Sequence, residues 1–211
     1  MEIMKNEKQG KIAFAICDAI HENASYLSEI DGATGDGDHG VNMNKGFLMA
    51  RERIAETMSF SDGMKVIGRT LVMDIGGSMG PIYGTMFSKL NKATKKYEEI
   101  DKDIFLSALK EALQGLMELA GAKVGDKTLI DTLYPAIQAY EKAVNEKADF
   151  KECLEELKKG AEVGKENTKN LVAKIGRAAR LGERSKGFLD AGATSCWIIL
   201  TTLANEIQAE L

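Results

Sequence analysis

Proline is almost missing from this 211-residue chain; Pro81 and Pro135 are the only two. No Ser-, Gln- or Pro-rich stretch interrupts it either, so no disordered linker or interdomain hinge is indicated, and the length suits one core. Aromatic residues are scarce at 6%, while Ala, Leu, Lys and Glu dominate, a balance that favours helices packed on helices. No segment has the period-two, β-branched pattern of several strands. A net charge of −4 leaves no basic patch for nucleic acid. Nucleotide binding stays open, because a bound cation can carry the phosphate charge. The apolar runs fall short of a membrane span, and the amino terminus lacks the apolar core of a secretion signal, so the expected location is cytoplasmic. Cysteine is limited to Cys17, Cys153 and Cys196, each in an apolar helical pattern. They read as small core residues in a reducing compartment. With only His21 and His39 beside them, a zinc site is not expected.

Helical spacing is what the chain has in abundance. Residues 10–30 place Ile12, Ile16, Ile20, Leu27 and Ile30 near one face, and residues 42–57 repeat the pattern with Met43, Phe47, Ala50 and Ile54. Ser61 or Asp62 suits the cap of a third helix running to Ile75, and Pro81 the first turn of a fourth. An apolar stripe from Ile104 to Met117 gives a fifth. Asp126 is a cap for a helix from Leu129 to Val144, with Pro135 placed to kink it. The seventh run, Phe150 to Ile175, steps by threes and fours, and its Ala161 and Gly164 permit a close helix contact. The last spans about Ala193 to Glu210. The expectation is an all-α, single-domain (1–211), antiparallel up-and-down barrel or bundle of eight helices. Glycine-rich loops follow the first, third, fifth and seventh. Alternate connections of such a bundle share an end, so these four loops should meet on one face.

The densest chemistry lies between Asp31 and Asn44, where Asp31, Asp36 and Asp38 are interleaved with Gly32, Gly35, Gly37 and Gly40. Carboxylates so close repel one another, and a hard divalent cation resolves the conflict. Magnesium with open positions for phosphate oxygens fits the spacing. Looser patterns fail. Gly35-x-Gly37-x-x-Gly40 has no strand before it, and a calcium loop started at Asp36 puts Phe47 where glutamate is required. For His39, three readings stay open: phosphate contact, acid or base, or closure of the loop. The backbone from His39 through Asn42, at a helix start, offers N–H groups to an anion. Gly76-Gly77-Ser78-Met79-Gly80 suits a helix–helix turn or close approach to phosphate or ribose. Arg177, Arg180 and Arg184 either pair with Glu183 or offer charge to phosphates or a protein partner. Gly125-Asp126-Lys127-Thr128 and Asp190-Ala191-Gly192-Ala193-Thr194 read as helix starts.

In this order the motifs resemble the L subunit family of dihydroxyacetone kinases over nearly the full chain. Asp190 to Ser195 is similar to the family's Asp-Pro-Gly-Ala-Thr-Ser, with Ala191 in place of proline. The resemblance implies an eight-helix barrel with a nucleotide and two magnesium ions at one end. By position it implies Asp31, Asp36 and Asp38 as metal ligands, and His39, Gly40, Val41 and Asn42, with Ser78 and Met79, around the phosphates. Gly121, Leu129, Arg177, Asp190, Ala191 and Gly192 would complete the nucleotide pocket. It further implies tightly bound ADP/ATP as a coenzyme, a phosphohistidine-carrying M subunit as donor, and a K subunit that holds dihydroxyacetone. Competing expectations are an ATP-dependent L subunit serving dihydroxyacetone or another ketose, and a nucleotide-sensing regulatory subunit. A homodimer is compatible with each. Fatty acid kinases carry a related domain, but their loop reads Gly-Asp-Gly-Asp-Thr-Gly where this chain has His39.

Overall fold

Asparagine competes for backbone hydrogen bonds, and Asn23 parts the first expected helix in two: its side-chain amide donates to Ala19 O at 2.8 Å. In the computed structural model, which describes residues 2–211, the halves are α1 (Gly10–Glu22) and α2 (Ala24–Thr34). They are followed by α3 (His39–Arg51), α4 (Phe60–Asp74), α5 (Met79–Thr94), α6 (Lys102–Ala120), α7 (Ile130–Asn145), α8 (Phe150–Asn167) and α9 (Ala191–Glu210). Two short strands, β1 (Met4–Lys5) and β2 (Glu99–Ile100), pair antiparallel with Met4 opposite Ile100. Each helix packs on its successor, and α9 returns to α1, so the ring closes into the antiparallel eight-helix barrel, with α1 and α2 sharing one place in it. Gln9 and Lys11 both bind the Glu210 carboxylate across that seam.

Burial follows the stripes. α6 turns Phe105, Leu109 and Leu116 inward, and the Phe105 ring meets Tyr140 and Phe150 at centroid distances of 5.8 and 6.0 Å. Edge-on and tilted aromatic pairs of this kind add to simple area burial. α9 is apolar around most of its circumference because α1, α7 and α8 all cover it. Pro135 does not end α7. It cannot donate to Asp131 O one turn back, and α8 closes on that turn through glycines. A Cβ on Gly164 would lie 2.4 Å from Asp131 O, and one on Gly160 would lie 2.7 Å from Pro135 O. All three cysteines are buried and free. Burial pushes the Cys153 thiol up to about 11 and the Cys17 thiol to about 12, which keeps them protonated and inert.

Several boundaries depart from the sequence reading. The second helix starts at His39 and stops at Arg51, so Asp31 lies in the last turn of α2 and only Asp36 and Asp38 lie in the connecting loop. Ser59 caps α4, accepting from Asp62 N at 3.0 Å. Asp126 does not cap α7. Its carboxylate accepts from Lys123 N at 2.8 Å within the preceding loop. The seventh helix ends at Asn167, well before Ile175. The Thr168 hydroxyl donates to Lys165 O at 2.6 Å and accepts from Asp190 N at 3.1 Å, which turns the chain aside. No helix among the described residues is long and apolar enough to cross a membrane.

Candidate functional site

The four glycine-rich connections do meet. They border a cleft of about 510 Å³ at one end of the barrel. Of the residues singled out in the sequence, Asp31, Asp36, Asp38, His39, Ser78, Met79, Leu129, Arg177, Asp190, Ala191 and Gly192 line it. Gly40, Val41, Asn42 and Gly121 do not. Gly40 is buried against α2, where a Cβ would lie 1.9 Å from Ala24 O. Val41 is exposed, and the Asn42 amide is occupied by Asp38 O at 2.9 Å. Gly121 ends α6 at φ +62°, and Leu119 and Ala120 line the cleft in its place.

The three carboxylates converge: one oxygen from each of Asp31, Asp36 and Asp38 lies within 4.8 Å of the others. Gly37, at φ +76°, makes the turn that brings Asp36 and Asp38 together. Gly35 leaves room for Asp31, since a Cβ there would sit 2.5 Å from its Oδ1. Asp31 Oδ2 also accepts from His39 N at 3.2 Å. The charge is answered from across the cleft, where the Arg177 guanidinium pairs with Asp36 and, at 3.7 Å, with Asp38. One guanidinium balances one of three carboxylates, and Asp36 and Asp38 stay exposed. A hard-oxygen donor set with residual negative charge and open access suits magnesium or a similar divalent cation.

Helix ends complete the electrostatics. α3, α5 and α7 all begin at the cleft, and in none does the N-cap side chain bond the helix. Asp31 accepts from His39 N and Thr128 Oγ1 from Ile130 N, while the first amides of α5 have no side-chain acceptor. Uncapped N–H groups at the positive end of a helix favour an anion. α9 differs, because Asp190 caps it, accepting from Ala193 N at 2.7 Å. Desolvation raises the Asp190 carboxyl to about 6, against the pull of the Ala193 amide and Lys127. Lys127 is almost wholly buried and turned away from the carboxylates. Its ammonium donates to Leu171 O, Ser185 O and Phe188 O at 3.3, 2.6 and 2.7 Å, and so braces the segment that carries Arg177. Burial lowers its pKa, with Asp190 opposing the shift. Asp131, in the first turn of α7, accepts from Gly125 N and Thr128 N and sets the loop beside it.

His39 is half-buried on the cleft wall. Desolvation lowers its imidazole pKa, with Asp31 opposing. Its Nε2 lies 2.9 Å from Ser195 Oγ, which in turn lies 2.5 Å from the Tyr83 hydroxyl. Tyr83, like Ile82 and Leu119 on the cleft wall, is a site residue that sequence reasoning missed. It is one tyrosine in an apolar helix, and its partners are 44 and 112 positions away in the chain.

With this geometry in place, comparison with known proteins gives a consistent result. The DAK2 domain family matches residues 33–205, and the chain belongs to it. It is 31% identical over 189 residues to the "PEP-dependent dihydroxyacetone kinase, ADP-binding subunit DhaL" of Escherichia coli, covering 89% of this chain and 90% of that one. It is 35% identical over 178 residues to the "PEP-dependent dihydroxyacetone kinase 1, ADP-binding subunit DhaL" of Listeria innocua, covering 83% and 84% of the two chains. The fold is similar, at a TM-score of 0.69 and 21% identity, to that of the dihydroxyacetone kinase from C. freundii in complex with AMP-PNP and Mg2+. That match covers 93% of this chain and 33% of the crystal chain.

Proposed function

We propose that this protein is the ADP-binding, L-type subunit of a phosphotransferase-dependent dihydroxyacetone kinase. The observation that carries the reading is the convergence of Asp31, Asp36 and Asp38 at the cleft where α5 begins with uncapped amides. In this reading Asp31, Asp36 and Asp38 hold two magnesium ions against the phosphates of a tightly bound ADP. Magnesium there supplies charge neutralisation and alignment of the transferring group. The start of α5 at Ser78 and Met79 offers amides to the phosphates, while Leu119, Leu129 and Ile82 give an apolar wall for the base. Arg177 adds positive charge on the open side of the cleft. The protein then needs no covalent nucleophile; its thiols are buried away from solvent and protonated. The donor is a phosphohistidine on a separate M subunit, and the acceptor is dihydroxyacetone held by a K subunit in the cytoplasm. Supporting this are the names of relatives matched over most of their length and the AMP-PNP and Mg2+ of the structural neighbour.

The test is mass analysis of nucleotide released from native protein, followed by transfer assays that compare phospho-M subunit with free ATP. Retained ADP and a requirement for phospho-M are expected. Protein without nucleotide that exchanges free ATP efficiently would overturn the coenzyme reading in favour of an ATP-dependent subunit.

A further inference from the structure

Ser195 Oγ is fully buried and lies within hydrogen-bonding distance of four atoms: Ala191 O at 3.0 Å, Gly192 O at 3.1 Å, the Tyr83 hydroxyl at 2.5 Å and His39 Nε2 at 2.9 Å. The Tyr83 hydroxyl is itself 3.1 Å from Gly192 O. Carbonyls only accept, and each hydroxyl carries one hydrogen. If the serine hydrogen goes to a carbonyl, Oγ has only lone pairs left for His39, and Nε2 must donate. If it goes to Tyr83, which passes its own hydrogen to Gly192 O, Nε2 must donate again. The ring accepts only when the serine hydrogen points at Nε2. Oγ would then face both carbonyl oxygens with no hydrogen between them, where buried lone pairs in contact are costly.

We propose that Ser195 and Tyr83 are positioning residues for His39. They hold the imidazole in one tautomer, with hydrogen on Nε2, and leave Nδ1 as a bare acceptor on the cleft wall. Nδ1 has no hydrogen-bond partner among the described residues. A bare nitrogen cannot donate to a phosphate oxygen, so the neutral ring serves neither as a phosphate donor nor as the general acid. It accepts instead from an O–H group of the bound nucleotide complex, offered by a cation-bound water or by the ribose. The ring's task in transfer rests on the nucleotide reading above; the tautomer does not.

The experiment is nitrogen-15 NMR at pH 8 on a His21→Gln protein, in which His39 is the sole histidine. A protonated Nε2 and an unprotonated Nδ1 are expected. Ser195→Ala should yield a mixture of tautomers and lower kcat for transfer by roughly tenfold while the nucleotide KM shifts less than about twofold. Tyr83→Phe should move both readouts in the same direction, and it serves alone if Ser195→Ala does not fold. Nδ1 should respond to magnesium-ADP. A response that persists with 2′,3′-dideoxy-ADP assigns the donor to water, and its loss assigns it to the ribose. Hydrogen on Nδ1 in the unsubstituted site, or a tautomer ratio unmoved by both variants, overturns the proposal. The expected tautomer without nucleotide binding leaves the positioning role standing and removes the functional reading.

Discussion

The two ends of the barrel are built to opposite rules. At the end away from the cleft, side chains of this chain close the helix starts of α4, α6 and α8: Ser59 caps α4, Asp101 caps α6, and Asp149 with Glu152 forms a reciprocal capping box on α8. Buried Asn6 ties the amino-terminal strand to the same end, donating to Thr94 O and Tyr97 O and accepting from Ser61 N. At the cleft end α3, α5 and α7 lack a cap from the N-cap side chain, and α9 alone has one, from Asp190. All seven glycines of positive φ among the described residues also lie there: Gly37, Gly77, Gly121, Gly125, Gly176, Gly182 and Gly187. Capping groups and well-formed turns stabilise one end. The other leaves carboxylates and the first amides of α5 free for a ligand.

Substitutions at the two ends should therefore separate activity from stability. The largest effect is expected at the carboxylates. Asp36→Ala or Asp38→Ala should reduce phosphoryl transfer by at least about 100-fold, while circular dichroism stays helical and the melting temperature does not fall, because a crowded charge is gone. Full activity in both variants would break the contrast between the ends.

A smaller effect belongs to Asp190, where the cleft end meets the core. Its folded pKa of about 6 lies above the unfolded value, so the folded state keeps the proton longer, and stability falls as pH rises through the window between them. Asn caps a helix about as well as Asp. Asp190→Asn should match the parent near pH 4, gain stability up to about pH 6 and hold that gain above it, as read by urea unfolding at stepped pH. The gain should stay below the ~3 kcal/mol that two pKa units represent, since the carboxylate keeps some access to solvent. A constant difference at all pH values would remove the desolvation account. The smallest change is expected far from the cleft: Asp149→Ala should lower unfolding free energy by about 1 kcal/mol and leave nucleotide affinity unchanged.

Much of this contrast was legible in the sequence, for reasons that particular residues make clear. The stripes of α4, α6 and α7 repeat at helical spacing, and up-and-down topology then brings alternate loops together even though Asp36 and Arg177 are distant in the chain. The break at Asn23 was hidden because Ile20 and Leu27 are seven residues apart, two helical turns, and stay in phase across it. Leu171 and Ile175 likewise continue the stripe of α8, but the Thr168 hydroxyl bonds to Asp190 N, a tertiary contact that spacing does not encode. Lys127 belongs to a motif that reads as a helix start; its backbone is left-handed, at φ +62°, and its ammonium is spent on carbonyls of the segment that carries Arg177. The His39–Ser195–Tyr83 contact joins three helices and leaves no local signature.

The seam between α1 and α9 has a consequence for how the fold can be used. Gln9 and Glu210 touch at 2.9 Å, so the helical ring begins and ends at one point, on the side opposite the cleft. A short linker there would convert the chain into a circle, and a cut between α3 and α4 would provide new ends that still lie behind the site. Appended sequence at either terminus would leave the mouth of the cleft clear, which lets such a barrel serve as one segment of a much longer polypeptide.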